Sequence, residues 1–310
     1  MRYQHQALCL NSALQVTRGN LAGVNALLAL LHPTQGSCTC VVDPPGDDAT
    51  AIGQMLYRSG DRSAMLSFLL PARASDTPAA AALLDELSSQ AGSMGALNMR
   101  AAVSEDTPIF ENLRRAGYTV YSWQRIWQVP VPISSQTSGR WELATGLDIQ
   151  AVQTLYNSLV PPLVQAAESL SLTFQDRWVF RLKGVLLGYA DVHYGSHGIY
   201  IEPVIHPTVE DLPAVLFSLI DGIPSLGRSA YLGIRADQAF VEHALDGMGA
   251  SCSPRLALFV KYLVRMQRVG ALAQRHALRE DHHPEPTLPF IPYTSPDGLL
   301  NQREVQQRLN

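Results

Sequence analysis

Two stretches of this sequence put a loop of small or charged residues directly before a helix, and a helix entrance is where a chain can hold an anion. They are Ala72-Arg73-Ala74-Ser75-Asp76-Thr77-Pro78-Ala79 and Pro207-Thr208-Val209-Glu210-Asp211-Leu212-Pro213-Ala214. Unpaired N–H groups of the first turn and the positive end of the helix dipole receive a phosphate, and glycines let the backbone come close to it. The first stretch has one arginine and no glycine, and Asp76 adds a negative charge. Asp76 or Thr77 also reads as an N-cap, with Pro78 at the first helical position, and a capping side chain would fill the N–H groups a phosphate needs. The second stretch carries two acids, Glu210 and Asp211, which repel a diphosphate and suit a helix start without ligand.

Other constellations carry less chemistry. Cys38-x-Cys40 on a strand points both thiols to one face, but a zinc site needs further ligands and no second pair supplies them; two half-buried strand cysteines are the expectation. His193 and His197 span a strand end and a turn, where the i, i+4 helical geometry does not hold. His282-His283 lies among prolines, in a tail without support for a metal. Tyr121, Trp123, Arg125 and Trp127, spaced by two on one strand, are expected on one face, either in an inter-domain interface or as the wall of an acceptor pocket.

The elements that position these residues occur twice. A hairpin with Ile52-Gly53 in its second strand recurs with Leu187-Gly188 after the Lys183-Gly184 turn. Apolar strands 64–70 and 199–205 end at Pro71 and at His206-Pro207, and helices follow each. Next come strands with Leu97-Asn98-Met99-Arg100-Ala101 and Leu232-Gly233-Ile234-Arg235-Ala236, then short helices closing on Gly117 and Gly249. The pairs Gly53/Gly188, Pro71/Pro207, Arg100/Arg235 and Gly117/Gly249 are offset by 135, 136, 135 and 132 residues in unbroken order, which points to duplication. Opening helices join the scheme through Leu21, Val24 and Leu27 against Ile149, Val152 and Leu155.

The expected organisation is α/β (α+β): two tandem units, each a mixed, mostly antiparallel sheet flanked by helices. The N-terminal domain takes residues 1–132, a linker 133–139, the C-terminal domain 140–266, and a helical stretch with a proline-rich tail 267–310. With 310 residues, 46% hydrophobic and 16% charged, the chain is long enough for two cores and too apolar for disorder. A formal charge of -4 gives no basic field for nucleic acid. Four cysteines make no disulfide framework, and no apolar run spans a membrane, so a cytoplasmic protein is expected. The tail reads as a surface strap or a partner-binding peptide, and association as a homodimer is compatible with the sequence.

This element order, with the stretches 182–189, Val204-Ile205-His206-Pro207 and 110–118, resembles the GNAT superfamily of N-acyltransferases, over nearly the whole chain apart from the tail. The resemblance implies acetyl-CoA or another acyl-CoA as cofactor, its diphosphate at the loop after the fourth strand and its pantetheine arm between splayed fourth and fifth strands. Carried to the first unit, that site is Leu69, Leu70, Arg73, Ala74, Ser75, Asp76, Thr77 and Ala79. It also implies a carboxylate base on or near the fourth strand, where Glu202 and Asp191 stand in the second unit, and a small-molecule or protein amine as acceptor. The tyrosine many members carry in the last helix is missing from both units. The better loop and the better carboxylates therefore lie in different halves, and a non-catalytic scaffold or binding protein is the alternative expectation.

Overall fold

The computed structural model describes residues 7–18, 36–43, 50–130, 139–170 and 176–264, all within the compact unit Met1–Arg265. Leu21, Val24 and Leu27, most of the 133–139 linker, and the tail with His282-His283 lie outside them. The first half runs β1 (Leu8–Cys9), α1 (Ser12–Thr17), β2 (Gly36–Val42), β3 (Ala51–Tyr57), β4 (Ser63–Leu70), α2 (Pro78–Ser93), β5 (Asn98–Ser104), α3 (Ile109–Arg115) and β6 (Thr119–Val129). The second runs β7 (Arg140–Leu143), α4 (Ile149–Leu159), α5 (Pro162–Ala167), β8 (Arg177–Leu182), β9 (Val185–Tyr194), β10 (Gly198–Ile205), α6 (Leu212–Gly222), β11 (Ser229–Arg235), α7 (Ala239–Gly247), β12 (Ser251–Cys252) and β13 (Leu256–Tyr262).

Each element follows from local chemistry. In α2, Pro78 opens the first turn, and Ala80, Leu83, Leu84, Leu87 and Ala91 fall on one stripe at helical spacing and are buried. That stripe lies on Gly53, where a Cβ would stand 2.9 Å from Leu83 and 3.0 Å from Leu87, so glycine sets the depth of helix docking. Gly117 and Gly249 end α3 and α7 with φ of +85° and +74°. Tyr118 N–H and Ala250 N–H then reach back to the carbonyls of Leu113 and Leu245, the left-handed helix ending that favours glycine.

The strands form one sheet in the order β2-β3-β4-β5-β13-β6-β11-β10-β9-β8-β7. The two closing strands are exchanged: β13 of the second half lies between β5 and β6, and β6 of the first half pairs with β11. Among the described residues only β4/β5 and β10/β11 are parallel. One face carries α2 and α3 on the first half's core, around Leu83, Leu113 and Phe259, and α6 and α7 on the second's, around Leu216, Leu232 and Leu245. On the other face α4 and α5 cover both halves: Val152, Leu155 and Val164 pack on Ala102, Tyr121, Val204, Leu258 and Val260.

The aromatic row is not on one face. The register of β6 against β13 slips between Val120 and Ser122, leaving Tyr121 as the extra residue of a bulge that aims it at the α4–α5 side. Trp123 packs on the first half's core and Trp127 within the second's.

Candidate functional site

In the first half β4 and β5 are in register only at Ser63↔Asn98, Ala64↔Met99 and Met65↔Arg100. Beyond that point the strands part, and the chain's own beginning fills the gap. Leu8 pairs with Leu69 and Cys9 with Phe68, Leu10 N–H donates to Ser67 O at 2.9 Å, and Ala102 N–H donates to Leu10 O at 2.9 Å. Leu10 is 1% exposed there. In the second half the corresponding first strand, β7, stays at the outer edge beside β8, so β1 has left its repeat position to enter the wedge. It continues into α1, whose Val16 and Ala13 pack near Tyr200 and Ile126, while His197 N–H donates to Thr17 O at 2.9 Å.

At the entrance to α2, Thr77 stands at the N-cap position as expected, but its hydroxyl donates to Ala74 O at 2.7 Å and no side chain caps the helix. Asp76 and Arg73 are exposed, three residues apart and opposite in charge, whereas Ala74, Ser75 and Ala79 are buried. Asn112 Nδ2 donates to Ser75 O at 2.7 Å and pins the turn to α3. Leu69 is buried and paired with β1, and Leu70 pairs with Ile52 of β3. The expected capping bond is corrected because the tight turn Ala72–Asp76 gives the Thr77 hydroxyl a nearer acceptor.

The second wedge is closed differently. β10 and β11 pair from Gly198↔Ser229 to Ile201↔Leu232 and then separate. The backbone positions of β10 that face the gap are Pro203, which has no N–H, and Ile205, whose N–H donates to Gln238 Oε1 at 3.1 Å. Gln238 is 4% exposed. The helix beyond is capped by Asp211, whose Oδ1 accepts from Ala214 N–H at 3.2 Å.

Glu202 and Asp191 stand directly opposite each other on β10 and β9. Each is already engaged. Arg177 donates to both Asp191 oxygens at 2.6 and 3.0 Å; Tyr200 donates to Glu202 at 3.1 Å, and His193 lies 3.8 Å away. Burial pushes the Glu202 carboxyl up, but the neighbouring His193, with Arg235 and Arg100, outweighs it and holds it down at about 2. A carboxylate so stabilised is a poor proton acceptor near neutrality.

The residue that organises the centre is Glu168, after α5. Arg100 and Arg235, the repeat-equivalent pair, approach its carboxylate at 3.3 and 3.2 Å, one from each half, and Tyr121 donates to it as well. Burial and then the charge of Glu168 push the Tyr121 phenol well above its ordinary value, so it remains a donor. Away from this seam, on the face where Trp123 packs against the first half's core, a cavity of about 180 Å³ is lined by Trp123, Arg125, Glu242 and Arg255 among others. Arg125 pairs with Glu242 at 3.3 Å and Arg255 lies over Trp123 at 4.2 Å.

No protein-family model matches the chain, and no curated protein sequence does. Among solved structures, a GCN5-related N-acetyltransferase from Sphaerobacter thermophilus superposes with a TM-score of 0.50 at 11% identity, over 84% of this chain and 97% of that one. This chain has the GNAT fold. A putative acetyltransferase from Pyrococcus horikoshii gives a TM-score of 0.49 at 10% identity over 84% and 90% of the two chains. A tandem GNAT protein from the clavulanic acid biosynthesis pathway gives 0.42 at 13% over 76% and 85%. Identity this low carries the fold and not an activity. Against the GNAT frame, β1 fills the first wedge where an acyl-CoA arm would lie, although no side chain caps α2, and Pro203, Gln238 and Asp211 take up the second. Among the described residues no helix is long and apolar enough to cross a membrane.

Proposed function

We propose that this chain is a non-catalytic GNAT-fold binding protein, a scaffold that does not work through acyl-CoA in either half. The observation that carries this reading is the strand Leu8–Cys9 with Leu10, hydrogen-bonded to β4 and β5 where a pantetheine arm would lie. The paired states of Glu202 and Asp191 support it from the chemical side. The contacts this reading offers a partner are the sheet edges at β2 and β7 and the cavity at Trp123 and Arg255, with the proline-rich sequence of the tail as a further candidate. Isothermal titration with acetyl-CoA and longer acyl-CoAs is expected to give no binding heat. A CoA found at the α2 entrance together with turnover of an amine would overturn it.

One observation favours a second reading, acyl-CoA-dependent N-acyl transfer with the cofactor in the first half at Leu69, Leu70, Arg73 to Thr77 and Ala79: no side chain caps α2. It requires residues 8–10 to leave the wedge, and its acceptor would be a small-molecule or protein amine. A chain lacking residues 1–10 that binds acetyl-CoA, where the full chain does not, would establish it.

A further inference from the structure

Cys38 and Cys40 are two residues apart on β2, so both side chains leave the same face of the strand, the face packed on the first half's core. Their Sγ atoms are 3.9 Å apart. That is the bite of two thiolates on one metal ion: bonds of about 2.3 Å put neighbouring sulfurs about 3.8 Å apart in tetrahedral and about 4.0 Å in trigonal geometry. β2 is the outermost strand of the sheet order, and both cysteines are half-buried, within reach of solution. Met55, fully buried, stands directly opposite Cys38 in the β2/β3 register, which puts its thioether on the same face. Cys40 faces Gly53, which presents no side chain.

We propose that Cys38 and Cys40 chelate a thiophilic monovalent cation, copper(I), at low coordination number, with Met55 supplying soft character beside Cys38. Among the described residues no three His, Cys, Asp or Glu side chains gather around a common point. The site therefore lacks the four donors of structural zinc, whereas sulfur donors in small number select copper(I). A disulfide is the poorer outcome for this pair. Two strand residues at i and i+2 have Cα atoms about 6.6 Å apart, near the upper limit for a bridge, and the sulfurs would have to close to about 2.0 Å. A metal asks for no closure. Each thiol that becomes a ligand releases its proton to solvent. Uptake therefore tightens as pH rises.

The test is anaerobic competition of the full chain, under reductant, against copper(I) bicinchoninate. One equivalent of copper(I) is expected to transfer. Cys38→Ser and Cys40→Ser should each weaken retention roughly 100-fold or more, since losing one arm forfeits the chelate, while Cys9→Ser and Cys252→Ser leave it unchanged. Thermal melting of each variant separates a lost site from a lost fold. The proposal is overturned if the folded Cys38 and Cys40 variants retain copper as the parent does, if no copper transfers, or if zinc(II) is held more tightly than copper(I).

Discussion

Leu10→Ala tests whether the first wedge is truly closed by the chain's own beginning. Leu10 is 1% exposed between β4 and β5, and truncating a leucine so buried costs about 2–5 kcal/mol, because a cavity remains between strands that cannot close on each other. Its two backbone hydrogen bonds survive the substitution, so the central expectation is about 3 kcal/mol. For the unit Met1–Arg265, about 2 cal/mol/K per residue gives an unfolding entropy of about 0.5 kcal/mol/K, and the melting midpoint should fall by about 6 °C. The control is Leu147→Ala, where the side chain is 94% exposed and the expected change is within about 0.5 kcal/mol. The assay is calorimetry of parent and both variants, with and without acetyl-CoA. A ligand present at about 100 times its dissociation constant would add about 2.7 kcal/mol and raise the midpoint; none is expected to be added here. If Leu10→Ala melts like Leu147→Ala, or if acetyl-CoA stabilises the parent, the closed wedge is wrong.

Glu168→Ala should lower the unfolding free energy in urea by about 3–5 kcal/mol, because it leaves Arg100 and Arg235 facing each other with their shared anion gone; Glu142→Ala, whose partner Arg140 is 83% exposed, should cost less than about 1 kcal/mol. Gly233→Ala puts a methyl group against the Tyr200 hydroxyl and the Gln124 amide, with an expected loss of about 1–3 kcal/mol, whereas Gly146→Ala meets nothing within 4 Å and should be near neutral in the same melts. The Glu202 carboxyl is held down, so its contribution to stability is present above the ordinary carboxylate range and is lost as pH falls toward about 2. For His193 burial lowers, but the neighbouring Glu202 carboxylate raises the imidazole overall, so its contribution is present below about 6.5 and is lost as pH rises through the elevated folded value. Both side chains are partly open to solvent, so the effect on stability is small and is read by NMR titration: Glu202→Gln should lower the His193 pKa, and an unchanged value would break the assignment.

The repeat was legible because several of its landmarks answer a local demand. Gly117 and Gly249 are left-handed helix ends, and Gly53 is where α2 comes down on the sheet; Gly188 has only ordinary contacts at its Cβ position, from 3.4 Å outward. Arg100 and Arg235 were visible as a pair, yet the shared anion was not, since Glu168 is supplied by the second half alone and has no counterpart in the repeat. The signal was there in principle: two arginines at equivalent positions of the repeat need a counter-charge, and Glu168 follows α5 directly. The cap at Thr77 was legible as a position but not as a bond, because which acceptor the hydroxyl meets depends on the turn before it. The exchange of β6 and β13 could not be read at all. Only tertiary register decides which fifth strand each one joins.

The exchange explains why the two halves do not behave as copies. With β13 and β6 adjacent between β5 and β11, Arg100 of β5 and Arg235 of β11 face a common seam, and two like guanidinium charges meet there unless something separates them. Glu168, delivered by α5 over both halves, does so. Its carboxylate bonds link Arg100 of the first half and Arg235 of the second, so separating the halves would strand charge on each side. The wedges show the same asymmetry. One is filled by a displaced first strand with backbone hydrogen bonds, the other by a glutamine amide, a proline without N–H and an aspartate cap. Closure is thus a property of two unrelated local sequences and not of the repeated fold, and opening either wedge would require a different change: removing residues 8–10 in one half, or replacing Pro203, Gln238 and Asp211 together in the other.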